Sequence, residues 1–157
     1  MTKKLWLTAD QQHAWRLLLN VTLTLVERLD AELRQAHDIS LGDYEILAHL
    51  SSQPDQRLRM SDLAERALVS KSRLTHTIDR LEHRGHVRRE ACDTDRRGIT
   101  AVLSPAGHKL LTKAAPTHVD GVRRLLIEHL ATDALPNLIS ALQPVQDVLR
   151  PPPATTC

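Results

Sequence analysis

The chain has 157 residues and a formal net charge of +2, with 41% apolar residues but no Phe, one Tyr and two Trp. That length suits one domain with a core of its own, or a small domain joined to dimerising helices. Aromatics this scarce argue against stacking on single-stranded bases, and a core of Leu, Val, Ile and Ala favours helix. No apolar run approaches the ~20 residues of a membrane span. The opening MTKKLWLTADQQ has neither an apolar core nor a small-residue cleavage site, so it does not read as a signal peptide. Cys92 and Cys157 make no disulfide framework, and a cytoplasmic location is expected.

In chain order, Asp10 to about Ala36 reads as one long helix, with Leu18, Leu25, Leu29 and Leu33 at helical spacing and Leu17, Val21 and Val26 widening the stripe. Such breadth suggests burial on more than one side. Ser40 is placed to cap a second helix through Leu50, with Leu41, Tyr44, Leu47 and Ala48 inward. SSQPDQ is a loop by composition, RLRM a short strand, and Ser61 the expected cap of a short helix over DLAERAL. A basic helix follows from Lys71, capped by Ser70 and stopped at Gly85. Two short helices closely joined, the second one basic, make a helix-turn-helix.

Beyond Gly85 the periodicity becomes two. Val87, Arg89 and Ala91, then Ile99, Ala101 and Leu103, predict a two-stranded hairpin with DTDRRG at its tip. Ser104-Pro105 starts a helix towards His129, bent at Pro116. Thr132 is the expected cap of a last helix to about Leu149, which Pro144 should kink or end early. RPPPATTC reads as a disordered tail.

Charge is unevenly spread. Residues 71–97 carry eight Lys/Arg against five Asp/Glu, whereas the rest of the chain is net negative. On the basic helix Leu74, Ile78 and Leu81 share a docking face, opposite Ser72, Arg73, His76, Asp79, Arg80 and His83, with Thr75 at the border. An arginine can pair with guanine edges in a major groove and a threonine methyl can touch thymine. Ser70, Lys71 and the helix's amino end suit a phosphate. At the hairpin tip Arg96 and Arg97 have no core to pack against, and a minor groove is a fitting target. The plain alternatives are a solvated helix face and a flexible charged turn.

SDLAERALVSKSRLTHTIDRLEHRGHVRRE and DTDRRGITAVLSPAG resemble the corresponding stretches of the multiple-antibiotic-resistance regulator (MarR) family of bacterial winged-helix transcription factors. The resemblance runs over roughly residues 10–149. It implies a mainly α fold with a small β-hairpin wing: a dimerisation helix over 1–36, a winged helix-turn-helix DNA-binding domain over 37–104, further dimerisation helices over 105–149, and the tail 150–157. It also implies a homodimer on a pseudo-palindromic duplex, since one recognition helix reads too few bases. The expected DNA-contacting set is Ser70, Lys71, Ser72, Arg73, Thr75, His76, Arg80, Arg96 and Arg97, with Asp95 holding one wing arginine in shape.

Family members commonly release DNA when a small anionic or phenolic ligand wedges between the dimer helices and the winged domain. Trp15, Arg16, His37 and Tyr44 are the candidates here, an aromatic floor with one cation. Each has a plainer reading: a core Trp, a surface ion pair, a packed ring. No cofactor or metal is expected, because His83 and His86 straddle Gly85 and no Cys-x-x-Cys or His-x-x-x-His pair occurs. Cys92, beside Asp93 and close to Arg88 and Arg89, is the one redox candidate; a small strand residue is the simpler reading. Neither a nucleophile elbow nor a phosphate-cradling glycine loop is present, so an enzyme is not expected. A winged helix used only for protein contacts fits the basic excess poorly.

Overall fold

The computed structural model describes residues 6–92 and 95–149, and the side chains of these except Cys92 and residues 95–97. Its elements are α1 (Ala9–His37), α2 (Leu41–Ser51), β1 (Arg57–Arg59), α3 (Met60–Arg66), α4 (Lys71–His83), β2 (Val87–Cys92), β3 (Asp95–Leu103), α5 (Pro105–Leu125), a 3-10 turn (Ile127–His129) and α6 (Ala134–Leu149). This is the mainly α fold with a small antiparallel sheet that the sequence led us to expect. The chain divides into two compact units, one up to Gly121 and one from Val122 onward. Among the described residues no helix is long and apolar enough to cross a membrane.

The helix ends follow from local chemistry. Thr8 and Gln11 form a reciprocal box at the start of α1, and Ser40 and Asp43 form another at α2. The Ser70 hydroxyl accepts from the Arg73 N–H at 3.2 Å to start α4, and Gly85 leaves that helix at φ +73°. Ser61, expected to cap α3, does not. The helix begins two residues earlier, at Met60 after Arg59 and without a side-chain cap, and the Ser61 hydroxyl turns to the Asp62 carboxylate instead.

In the sheet β3 lies between β1 and β2, with Arg57 opposite Val102 and Arg89 opposite Ala101. Paired along both edges, β3 has Thr100, Ala101, Val102 and Leu103 all buried, and the expected alternation is lost at its base. The hairpin tip is also narrower than DTDRRG: the backbone of Asp95–Gly98 already belongs to β3. Asp93 and Thr94 lie outside the described residues, as do residues 150–157.

The main core joins α2, α3, α4 and the sheet around Leu47, Leu50, Leu63, Leu74, Ile78 and Leu81, each at most 1% exposed. A smaller cluster holds Leu33, Ile39, Tyr44 and Ala114. Only Leu29 and Leu33 of α1 are buried, while Leu17, Leu18, Val21, Leu23 and Val26 face outward. In the second unit α6 begins at Ala134 rather than directly after Thr132 and likewise exposes Leu138, Ile139, Leu142 and Val145. It runs on through Pro144 to Leu149 rather than ending early, and α5 contains Pro116 but stops at Leu125, short of His129.

The first turn of α5 presses on the exit from α4. Ser104 N–H donates to the His86 carbonyl at 3.1 Å, and its hydroxyl donates to the Gly85 carbonyl at 2.6 Å. A Cβ on Gly107 would stand 2.1 Å from that His86 carbonyl oxygen, which is backbone and has nowhere to go. Gly107→Ala should therefore lower unfolding free energy by about 2–3 kcal/mol through overpacking, read as a shifted denaturant midpoint.

Candidate nucleic-acid interface

Helix α4 is the centre of the site. Leu74, Ile78 and Leu81 are 0–1% exposed and fix its rotation. Lys71, Ser72, Arg73, Thr75, His76, Asp79, Arg80 and His83 consequently face solvent. Among the described residues the side chains of Lys71, Arg73 and His76 engage no hydrogen bond or ion pair, which leaves their donors available. Ser70 and Ser72 hydroxyls lie 3.1 Å apart at the helix start, and Thr75 donates back to the Lys71 carbonyl at 2.9 Å. The Thr75 methyl and both lone pairs of its hydroxyl oxygen remain on the exposed side.

Arg80, expected on a phosphate, has an internal partner. Its Nη2 donates to Asp43 Oδ1 at 2.6 Å, and Asp43 is 2% exposed at the start of α2. The same carboxylate accepts from the Ser40 N–H at 2.9 Å and the Ser40 hydroxyl at 2.7 Å. Three donors thus satisfy a carboxylate that burial would otherwise penalise. Arg80 remains about half exposed, with its other guanidinium donors outward.

Arg89 makes contacts with α4 that the sequence reading missed. From β2 its Nη1 donates to Glu82 Oε2 and its Nη2 to Asp79 Oδ1, both at 2.5 Å, while its backbone N–H reaches Glu82 Oε1 at 2.8 Å. Period-two spacing placed Arg89 on the Val87 side but gave no sign that this side meets α4.

Two concave surfaces flank α4. One of about 640 Å³ lies towards the hairpin, between Arg59, Lys71, Thr75, Arg89 and Ile99; the other, about 460 Å³, lies towards α1 and α2, between Arg34, Ser72, Arg73, His76 and Arg80. The backbones of Asp95, Arg96 and Arg97 run in β3, and their side chains lie outside those described, as does that of Cys92.

The four candidate ligand residues do not meet in one chain. Trp15 and Arg16 are exposed on the first half of α1, and roughly 33 Å of unbroken helix separates Trp15 from His37. His37 Nε2 stands 2.8 Å from the Thr117 hydroxyl, and the buried Tyr44 ring packs 4.4 Å from His118. His37 and Tyr44 thus gather at adjacent residues of α5, without the other two. Among the described residues no group of three His, Cys, Asp or Glu is placed to hold a metal.

A basic helix-turn-helix beside a β-hairpin defines a winged-helix protein of the nucleic-acid-binding type. The MarR family model matches residues 37–98. Over 92% of this chain and 97% of the other, the structure superposes on AbsC, a MarR family transcriptional regulator from Streptomyces coelicolor, with TM-score 0.88 and 46% identity. Over 99% and 97%, it superposes on Sco3205 of the same organism, a MarR family transcriptional regulator solved in complex with DNA, with TM-score 0.91 and 35% identity. The HTH-type transcriptional regulator PecS of Dickeya dadantii is 27% identical over 103 residues, 65% of this chain and 62% of that protein's length. The chain belongs to the MarR family of transcriptional regulators.

Removing Arg80 strands most of the charge on Asp43. Because Arg80 is itself half exposed, Arg80→Ala is expected to cost about 1–2 kcal/mol of stability in denaturant unfolding. An unchanged midpoint would mean that the Ser40 donors alone satisfy Asp43.

Proposed function

We propose that this chain is a sequence-specific double-stranded DNA-binding regulator, acting in the cytoplasm as a homodimeric repressor that a small ligand releases. The observation that carries the reading is the outward face of α4. Arg73 and His76 stand free among the described residues on a helix whose rotation is fixed by three buried residues and by an ion pair to the buried Asp43. Arg73, Thr75 and His76 would read base edges, Ser70, Lys71, Ser72 and Arg80 would position the helix on phosphates, and Arg96 or Arg97 would enter the minor groove, shaped by Asp95.

A second copy is the natural cover for the apolar faces of α1 and α6, which expose Leu17, Leu18 and Val21 on the one and Leu138, Ile139 and Leu142 on the other. An aromatic or anionic effector would fit best beside His37 and Tyr44, where the buried Nδ1 of His118 has no hydrogen-bond partner.

The test is selection of bound duplexes from a randomised pool. A pseudo-palindrome is expected, and recovery of unrelated sequences with equal affinity would remove the claim of specificity. On the selected duplex Arg73→Ala should cost about 1–3 kcal/mol, and distinctly less on random DNA. Equal losses on both would make Arg73 a phosphate contact. Replacing Arg96 and Arg97 together by Ala should reduce the slope of log affinity against log salt by roughly 0.9 for each phosphate no longer neutralised. A slope equal to that of the wild type would rule out their part in the wing.

A further inference from the structure

On its flank towards the hairpin α4 carries two carboxylates, Asp79 and Glu82, which stand 53% and 37% exposed. A carboxylate pressed towards a phosphodiester is repelled, the more so once water is excluded. Both are met by one cation. Arg89 is 24% exposed and reaches up the helix, from Glu82 to Asp79 to the carbonyl of Thr75 at 3.3 Å. Those three acceptors lie four and three residues apart, so they form one stripe on α4. The guanidinium fork matches it in a way that an ammonium would not. Burial works against the charge on Arg89, but the hydrogen bonds it donates to the two carboxylates prevail and its pKa is raised.

Arg89 also gives the hairpin a second attachment to α4. The first lies at the root, where Gly85 N–H donates to the Glu82 carbonyl and His86 N–H to the Leu81 carbonyl, each at 2.9 Å. One attachment beside a glycine would leave a hinge. A second, at Arg89, sets the angle at which β2 leaves the helix.

We infer that Arg89 is a positioning residue for DNA binding, acting through Asp79 and Glu82 rather than on DNA: it neutralises the two acids on the recognition helix and locks the hairpin to it. This rests on the DNA-binding reading proposed above and adds a residue and a role to it.

The experiment is a mutant cycle on the full chain, read by equilibrium binding to a duplex selected by the wild-type protein. Arg89→Ala should weaken binding by roughly tenfold or more at low salt, as two unscreened carboxylates are released. The loss should shrink as salt rises, because the repulsion is screened within about 8–10 Å. In the Asp79→Asn/Glu82→Gln background, the same Arg89→Ala change should cost less than about threefold, since no charge remains for it to neutralise. Circular dichroism and thermal unfolding of each variant check that the helices are intact.

An equal loss in both backgrounds would overturn the inference and make Arg89 a direct DNA contact. A loss that salt does not alter would overturn it as well, leaving only a structural strut. Wild-type protein that selects no duplex would instead defeat the DNA-binding reading and this inference with it.

Discussion

The arrangement depends on how α4 is held. Three leucine-type side chains set which way the helix is turned, and the buried Asp43 carboxylate adds a directional tie to Arg80 that apolar packing cannot supply. Asp43 also completes the capping box of α2, so one carboxylate serves the start of one helix and the flank of another. A buried acid with three donors is costly to leave half satisfied, which makes the α2–α4 geometry narrow. A helix that reads base edges needs such narrowness, because hydrogen-bond readout tolerates little rotation.

The hairpin is governed by a related logic. It leaves α4 through a left-handed glycine, is joined to β1 through the central β3, and is tied back to the helix by Arg89. Its root is therefore a part of the core, with Ala101 and Leu103 among the buried residues. The start of β3 carries Arg96 and Arg97, which the proposed minor-groove contact requires.

Much of this was legible in the sequence, for reasons that are local. Ser40 and Ser70 announce helix starts, Gly85 an end, and the change from helical to alternating spacing marks the sheet. The resemblance carried by DTDRRGITAVLSPAG agrees with the family to which the chain belongs. What escaped was longer in range. Arg80 and Asp43 are 37 residues apart, and no periodicity relates them. Arg89 looked like one of many basic residues until β2 lay beside α4. Ser61 failed as a cap because Met60 already extends the helix past it. Trp15 and Arg16 were grouped with His37 and Tyr44 by chemistry alone, and within one chain the length of α1 separates the two pairs.

The central claim is that two such chains present two α4 helices to one duplex. Its most direct test is a dimethyl sulfate footprint, which reads guanine N7 in the major groove and adenine N3 in the minor groove, of the wild-type protein on a selected duplex, with the mass of the complex measured alongside. The account predicts two chains per duplex and two symmetric major-groove protections about 10 base pairs apart, or a multiple of that, with minor-groove protection beside them. One chain per duplex, or a single protected patch without twofold symmetry, would contradict it.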